Sequence, residues 1–137
     1  MNYESKMIFL VCMFSSVYAF SQNLTLEVKD IESAKGYIYV AVYNKQELFM
    51  KQPVAAFRVA AKDTAMVIPC KGLQPGVYAI SLFHDENGNG KLDTGAFGRP
   101  LEKFGFSNDA EGVMGAPAYD KCSFALKEDV TMIIHLK

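Results

Sequence analysis

Beyond residue 21, hydrophobic and polar positions alternate with a period of two in short runs along most of the chain. Leu24, Leu26 and Val28 alternate with Thr25, Glu27 and Lys29, the pattern of a strand with one buried face. Ile38, Val40 and Val42 alternate with Tyr37, Tyr39, Ala41 and Tyr43 in a second, longer run. Phe57 and Val59 mark a third within 55–60, and Met66, Ile68 and Cys70 share one face of a fourth. Val77 to His84 is apolar on both faces, as expected of a central strand. Cys122, Phe124 and Leu126 share a face of the sixth run, and Val130, Met132, Ile134 and Leu136 form the seventh. No long stretch carries helical periodicity; 45–51 has room for a turn or two before Pro53. Seven short strands in a chain of 137 residues predict an all-β fold, a two-sheet antiparallel Greek-key sandwich.

Two segments depart from this rhythm. Residues 94–121 hold five Gly, two Pro and four aromatics (Phe97, Phe104, Phe106 and Tyr119) without sustained alternation. Connections in compact domains usually run about 4–6 residues, so a loop this long is expected to be packed or functional. Its aromatics favour packing over one end of the sandwich. The other departure is at the start. Lys6 precedes an apolar run from Met7 to Ala19, which suits the core of a signal peptide but falls short of the roughly 20 residues a spanning helix needs. Residues 1–21 therefore read as a secretory signal with cleavage after Ser21, a cut after Ala19 being the alternative. Cys12 belongs to the apolar core of that signal, because Phe9, Leu10 and Val11 before it lack the small residue that lipoprotein processing requires. Residues 22–137 are then one exported β-sandwich domain with no transmembrane segment, secreted or held in the periplasm or cell envelope.

Export changes how the cysteines are read. Cys70 and Cys122 remain in a compartment that permits disulfides, and each shares a face with core residues. They read as buried sulfurs or as a bridge.

The richest chemistry lies in 72–95, GLQPGVYAISLFHDENGNGKLDTG. Pro75 and Gly76 mark a turn, with Pro fixing φ at one corner and Gly taking a positive φ at the next. The central strand then runs into Asp85-Glu86-Asn87-Gly88-Asn89-Gly90-Lys91-Leu92-Asp93. Oxygen-bearing side chains at Asp85, Asn87, Asn89 and Asp93, with Gly90 at the bend and the Lys91 carbonyl after it, match the ligand spacing of a calcium loop. Ala96 stands where a helix–loop–helix calcium site has its bidentate glutamate, so the loop is not of that type. Glu102 or Asp109 from the long loop would complete the shell. The competing reading is a solvated Asn-Gly turn.

These residues carry a resemblance. Leu73-x-Pro75-Gly76-x-Tyr78, then FHDENGNGKLDTG, then Gly98-x-Pro100-x-Glu102-x-x-Gly105-Phe106-Ser107-Asn108 resemble, in that order, the exported domain-of-unknown-function family 2141. The resemblance covers nearly all of 22–137. It implies a secreted or envelope-associated sandwich of transthyretin (prealbumin) topology with no established activity, and it assigns no catalytic residue.

Composition narrows the function classes. The formal net charge is −1, without the excess of Lys and Arg that a nucleic-acid binder uses against phosphates. Half the residues are hydrophobic and 21% are charged, so disorder is not expected. No nucleophile motif is present, and His84 and Asp85, as strand neighbours, point to opposite faces. An enzyme is therefore not expected. His84 reads as support for the acidic loop. The expected role is a structural or accessory module with an unidentified envelope or extracellular partner. The alternative is a glycan- or peptide-binding module that uses the stripe of Tyr37, Tyr39 and Tyr43 as its ligand face.

Overall fold

The computed structural model describes residues 21–137. The expected signal segment, apart from Ser21, lies outside the described residues, and so does Cys12.

Eight strands form two sheets: β1 (Gln22–Lys29), β2 (Tyr37–Tyr43), β3 (Ala55–Ala60), β4 (Met66–Leu73), β5 (Gly76–Asp85), β6 (Phe104–Phe106), β7 (Phe124–Leu126) and β8 (Val130–His135). The three-stranded sheet runs β4-β1-β8. The larger sheet runs β3-β2-β5-β6, and β7 also pairs with β5. Leu24, Leu26, Val28, Ile68 and Ile134 from the first sheet meet Ile38, Val40, Val42, Ile80 and Leu82 from the second in one apolar core. The alternation in the sequence is what aims these side chains inward. The result is a β-sandwich, as the spacing of apolar positions predicts.

Three features differ from the sequence expectation. The β1–β8 pair is parallel, with Leu26 opposite Met132, while the other strand pairs are antiparallel. An eighth strand, β6, lies inside the long Gly-rich segment. It escaped the period-two search because Gly105 occupies its inward position. A Cβ there would lie 2.9 Å from Ile134 Cγ2, so only a side chain of zero size fits against the core. Cys122 ends a short helix, α1 (Tyr119–Cys122), and is not part of a strand. The segment 45–51 forms a single 3-10 turn, Gln46–Leu48, in line with its short helical reading.

The turn before β5 also departs from expectation. The left-handed backbone position falls at Gly72 (φ 85°), and Gly76 does not need it. Tyr78 secures the turn by donating its hydroxyl to the Gln74 carbonyl at 2.7 Å.

Candidate cation-binding loop

Strand β5 delivers Asp85 to the outer face of the larger sheet, opposite Tyr37 in register. Chain packing there leaves no slack. A Cβ on Gly36 (φ 69°) would fall 1.9 Å from the Asp85 carbonyl oxygen, so this close crossing depends on glycine. Asp85 is 0% exposed. Its Oδ2 accepts the Gly90 N–H at 2.8 Å, which closes the loop back on its first residue. Its Oδ1 has no hydrogen-bond partner among the described residues.

The next donors fold around the same turn. Asn87 Oδ1 accepts the Asn89 N–H, and Asn89 Oδ1 accepts the Lys91 N–H at 3.0 Å. The amide nitrogens of Asn87 and Asn89 both donate to the Asp93 carboxylate, at 2.5 and 2.7 Å. These two bonds, Asn89 first, hold the Asp93 carboxyl below the usual carboxylate range. They also supply the partial positive charge that a cation would supply at the same place. Glu102 joins from the long segment, its Oε2 accepting the Asp93 N–H at 3.0 Å. The structure therefore brings Asn87, Asn89 and Glu102 to Asp93, while Asp85 is tied to the same loop through Gly90 and Lys91 bonds through its backbone.

Asp109 does not belong to this group. Both its oxygens are engaged at β8: Oδ1 accepts the His135 backbone N–H at 2.8 Å, and Oδ2 lies 2.7 Å from His135 Nδ1. Among the described residues no three His, Cys, Asp or Glu side chains gather as a metal cluster. The loop's donor set is two carboxylates, two amides and a backbone carbonyl, with a third carboxylate at its edge. Hard, oxygen-seeking cations are the chemistry such a set accepts.

His84 supports the loop from the other side of the strand. It is fully buried, and its Nε2 lies 2.7 Å from the Lys35 carbonyl, which as an acceptor requires the proton on Nε2. Its Nδ1 faces Glu86 at 3.9 Å. The ring thereby anchors the 35–36 corner against which Asp85 is packed.

The tyrosine stripe is largely occupied. The Arg58 guanidinium stacks over the Tyr37 ring at 3.6 Å. Tyr39 lies face to face with Phe83, with centroids 5.2 Å apart. Tyr43 is buried, its ring edge-on to Phe49. These contacts leave no open row of three ring faces on β2.

The long segment is packed, as its aromatics suggested, but on this same outer face of the larger sheet and not over an end of the sandwich. Phe106, Ala79 and Cys122 form a second apolar cluster with Phe49, Phe104 and Tyr119 around them. Cys70 lies in the main core between the sheets. The two cysteines thus sit on opposite sides of the larger sheet, and both are free thiols. The bridge is corrected to two buried sulfurs. Burial pushes the Cys70 thiol up to about 12 and, with help from Asp120, the Cys122 thiol up to about 11.

Two residues that sequence reasoning did not assign hold the segment in place. Ser107, fully buried, accepts the Ile80 N–H at 2.9 Å and donates to the Cys122 carbonyl at 2.5 Å. Asn108 donates to the carbonyls of Lys121 and Ser123. The Gly105-Phe106-Ser107-Asn108 string is thereby explained as packing and pinning, and its signal was the motif itself.

Among the described residues no helix is long and apolar enough to cross a membrane. Neither the curated proteins nor the solved structures hold a match to the chain. A family model does match, over residues 26–134, and it takes in the strands, the loop at 85–93 and the pinned segment together. The chain belongs to domain-of-unknown-function family 2141, described as uncharacterized protein conserved in bacteria.

Proposed function

We propose that this chain is an exported accessory module of the cell envelope or extracellular space, with loop 85–93 as a weak calcium site that stiffens one end of the sandwich. The observation that carries the reading is Asp85 Oδ1: a carboxylate oxygen, wholly buried beside an oxygen-rich turn, with no donor facing it. Burying such a group unpaired is costly, and a bound cation removes the cost. Asp85, Asn87, Asn89, the Lys91 carbonyl and Asp93 are the ligands in this reading, with Glu102 completing the shell directly or through water. Two or three carboxylates place the affinity in the range of extracellular calcium modules, about 10⁻⁴–10⁻³ M. The role is structural, without a catalytic step.

The test is thermal unfolding in calcium and in chelator. With a dissociation constant of about 0.1 mM and calcium near 1 mM, binding stabilises by about 1.4 kcal/mol, a rise of roughly 4–8 °C. Asp85→Asn removes most of the calcium-dependent part of the shift. Glu86→Ala keeps it, because that side chain faces His84. Magnesium gives a smaller shift, since it releases its water reluctantly. Identical curves in calcium and chelator for the unmodified protein reject the site.

A further inference from the structure

Residues 93–101 form a β-hairpin that rises from the end of the acidic loop. Leu101 N–H donates to the Asp93 carbonyl, Gly95 N–H donates to the Arg99 carbonyl, and Thr94 pairs with Pro100. The two tip residues, Phe97 (φ 59°) and Gly98 (φ 70°), are both left-handed, the geometry of a tight two-residue hairpin turn. Such turns select Asn, Asp or Gly at the first corner, because a larger L-residue is strained there. Phe97 is strained and also fully exposed, so it gains nothing from the fold in return. Met114 repeats the combination: left-handed (φ 58°), apolar and fully exposed, next to exposed Val113.

The two tips adjoin residues that line one cavity. The hairpin, through Gly98 and Pro100, and the second loop, through Gly112 and Gly115, wall the same apolar cavity of about 340 Å³, floored by Phe83 and Phe104. Exposed Leu101 extends the patch along the hairpin. Charges of both signs surround it, and the exposed, unpaired ones on the hairpin and the loop before it are cations. The hairpin's carboxylates, Asp93 and Glu102, are half-buried and bonded inward. Glu111 pairs with Lys137. Lys91 and Arg99 are exposed and pair with no carboxylate among the described residues. Protruding apolar tips flanked by unpaired cations match a surface that is anionic outside and hydrocarbon beneath.

We propose that the Phe97 hairpin and the Val113-Met114 loop dock this module on an anionic phospholipid surface, inserting Phe97, Val113 and Met114 while Arg99 and Lys91 meet the headgroup phosphates. The docking stands independently of the calcium site. The experiment is co-sedimentation of the protein, in chelator, with vesicles of phosphatidylcholine alone and of phosphatidylcholine mixed with phosphatidylglycerol. Binding is expected on the mixed vesicles and weaker on the neutral ones. Phe97→Asn and Met114→Asn place the preferred residue type at each left-handed position, so the fold is kept or gains in melting temperature. Each is expected to weaken vesicle binding on the order of tenfold, as loss of one buried apolar side chain implies. Arg99→Gln narrows the difference between the two vesicle types. No sedimentation with either vesicle, or binding that survives both Asn substitutions, overturns the proposal. So does a dimer in solution that Phe97→Asn dissolves, which would assign the patch to a second copy of the chain.

Discussion

At the seam of the larger sheet a serine hydroxyl stands in for a strand. β7 pairs with β5 as far as Tyr78, and β6 takes over at Ser81. The Ile80 N–H in the gap goes to Ser107. Ser107→Ala leaves that donor and the Cys122 carbonyl buried without partners, and should cost about 1–3 kcal/mol, read as a lower midpoint in urea denaturation. Nothing in the sequence marked Ser107 as buried, since serine is ordinarily a surface or turn residue. His84 was legible as support for the loop, because its place on the inward parity of β5 follows from strand alternation. The bonding of Asp85 was not legible, since it depends on how Gly36 lets two chain segments cross. The same limit applied to the cysteines. Alternation placed each on a buried face, but a buried face of one sheet can lie on either of its two sides.

Strands with a full alternating run were readable as elements, and the short ones were not. β1, β2 and β3 carry their pattern over six to eight residues. β6 has only three residues, and its inward one is glycine, so no hydrophobic signal remains. The loop at 85–93 was legible as a ligand pattern because its spacing is local, while the roles of Glu102 and Asp109 depended on tertiary placement. Asp109 fastens the 107–109 turn to the end of β8 through His135, with Lys137 also nearby. Burial alone would raise its carboxyl, but the His135 backbone and ring bonds outweigh that and hold it below the ordinary 3.8. The ionised form is thus favoured by the fold. Its stabilising contribution is complete above the ordinary value and is lost as pH falls through the lower folded one. The stability gap between the unmodified protein and Asp109→Asn should therefore shrink below about pH 4, measured as urea midpoints across an acid series. Using the variant as reference cancels Asp93 and Asp129, which are lowered by their own hydrogen bonds.

At the level of the whole molecule, the sandwich was readable because two facing sheets are the usual way to bury seven or eight one-sided strands. The expected address of the chain has its own test: N-terminal sequencing of protein from the native host should find Gln22 as the first residue, and an intact Met1 would refute export with cleavage. What no local pattern announced is the partner of β1. This strand is central in its sheet, yet its neighbours are β4 and, in parallel, β8, about a hundred residues downstream. Parallel neighbours require a crossover and cannot zip up from a hairpin. Of the strands in the smaller sheet the last to be synthesised is therefore the one that closes it, setting Val130, Met132 and Ile134 beside Leu24, Leu26 and Val28. A chain threaded N-terminus first through a narrow translocation channel would stay pliable until β8 emerges, then lock in one late, slow, long-range step. The topology itself postpones closure of the sandwich until β8 is available to pair.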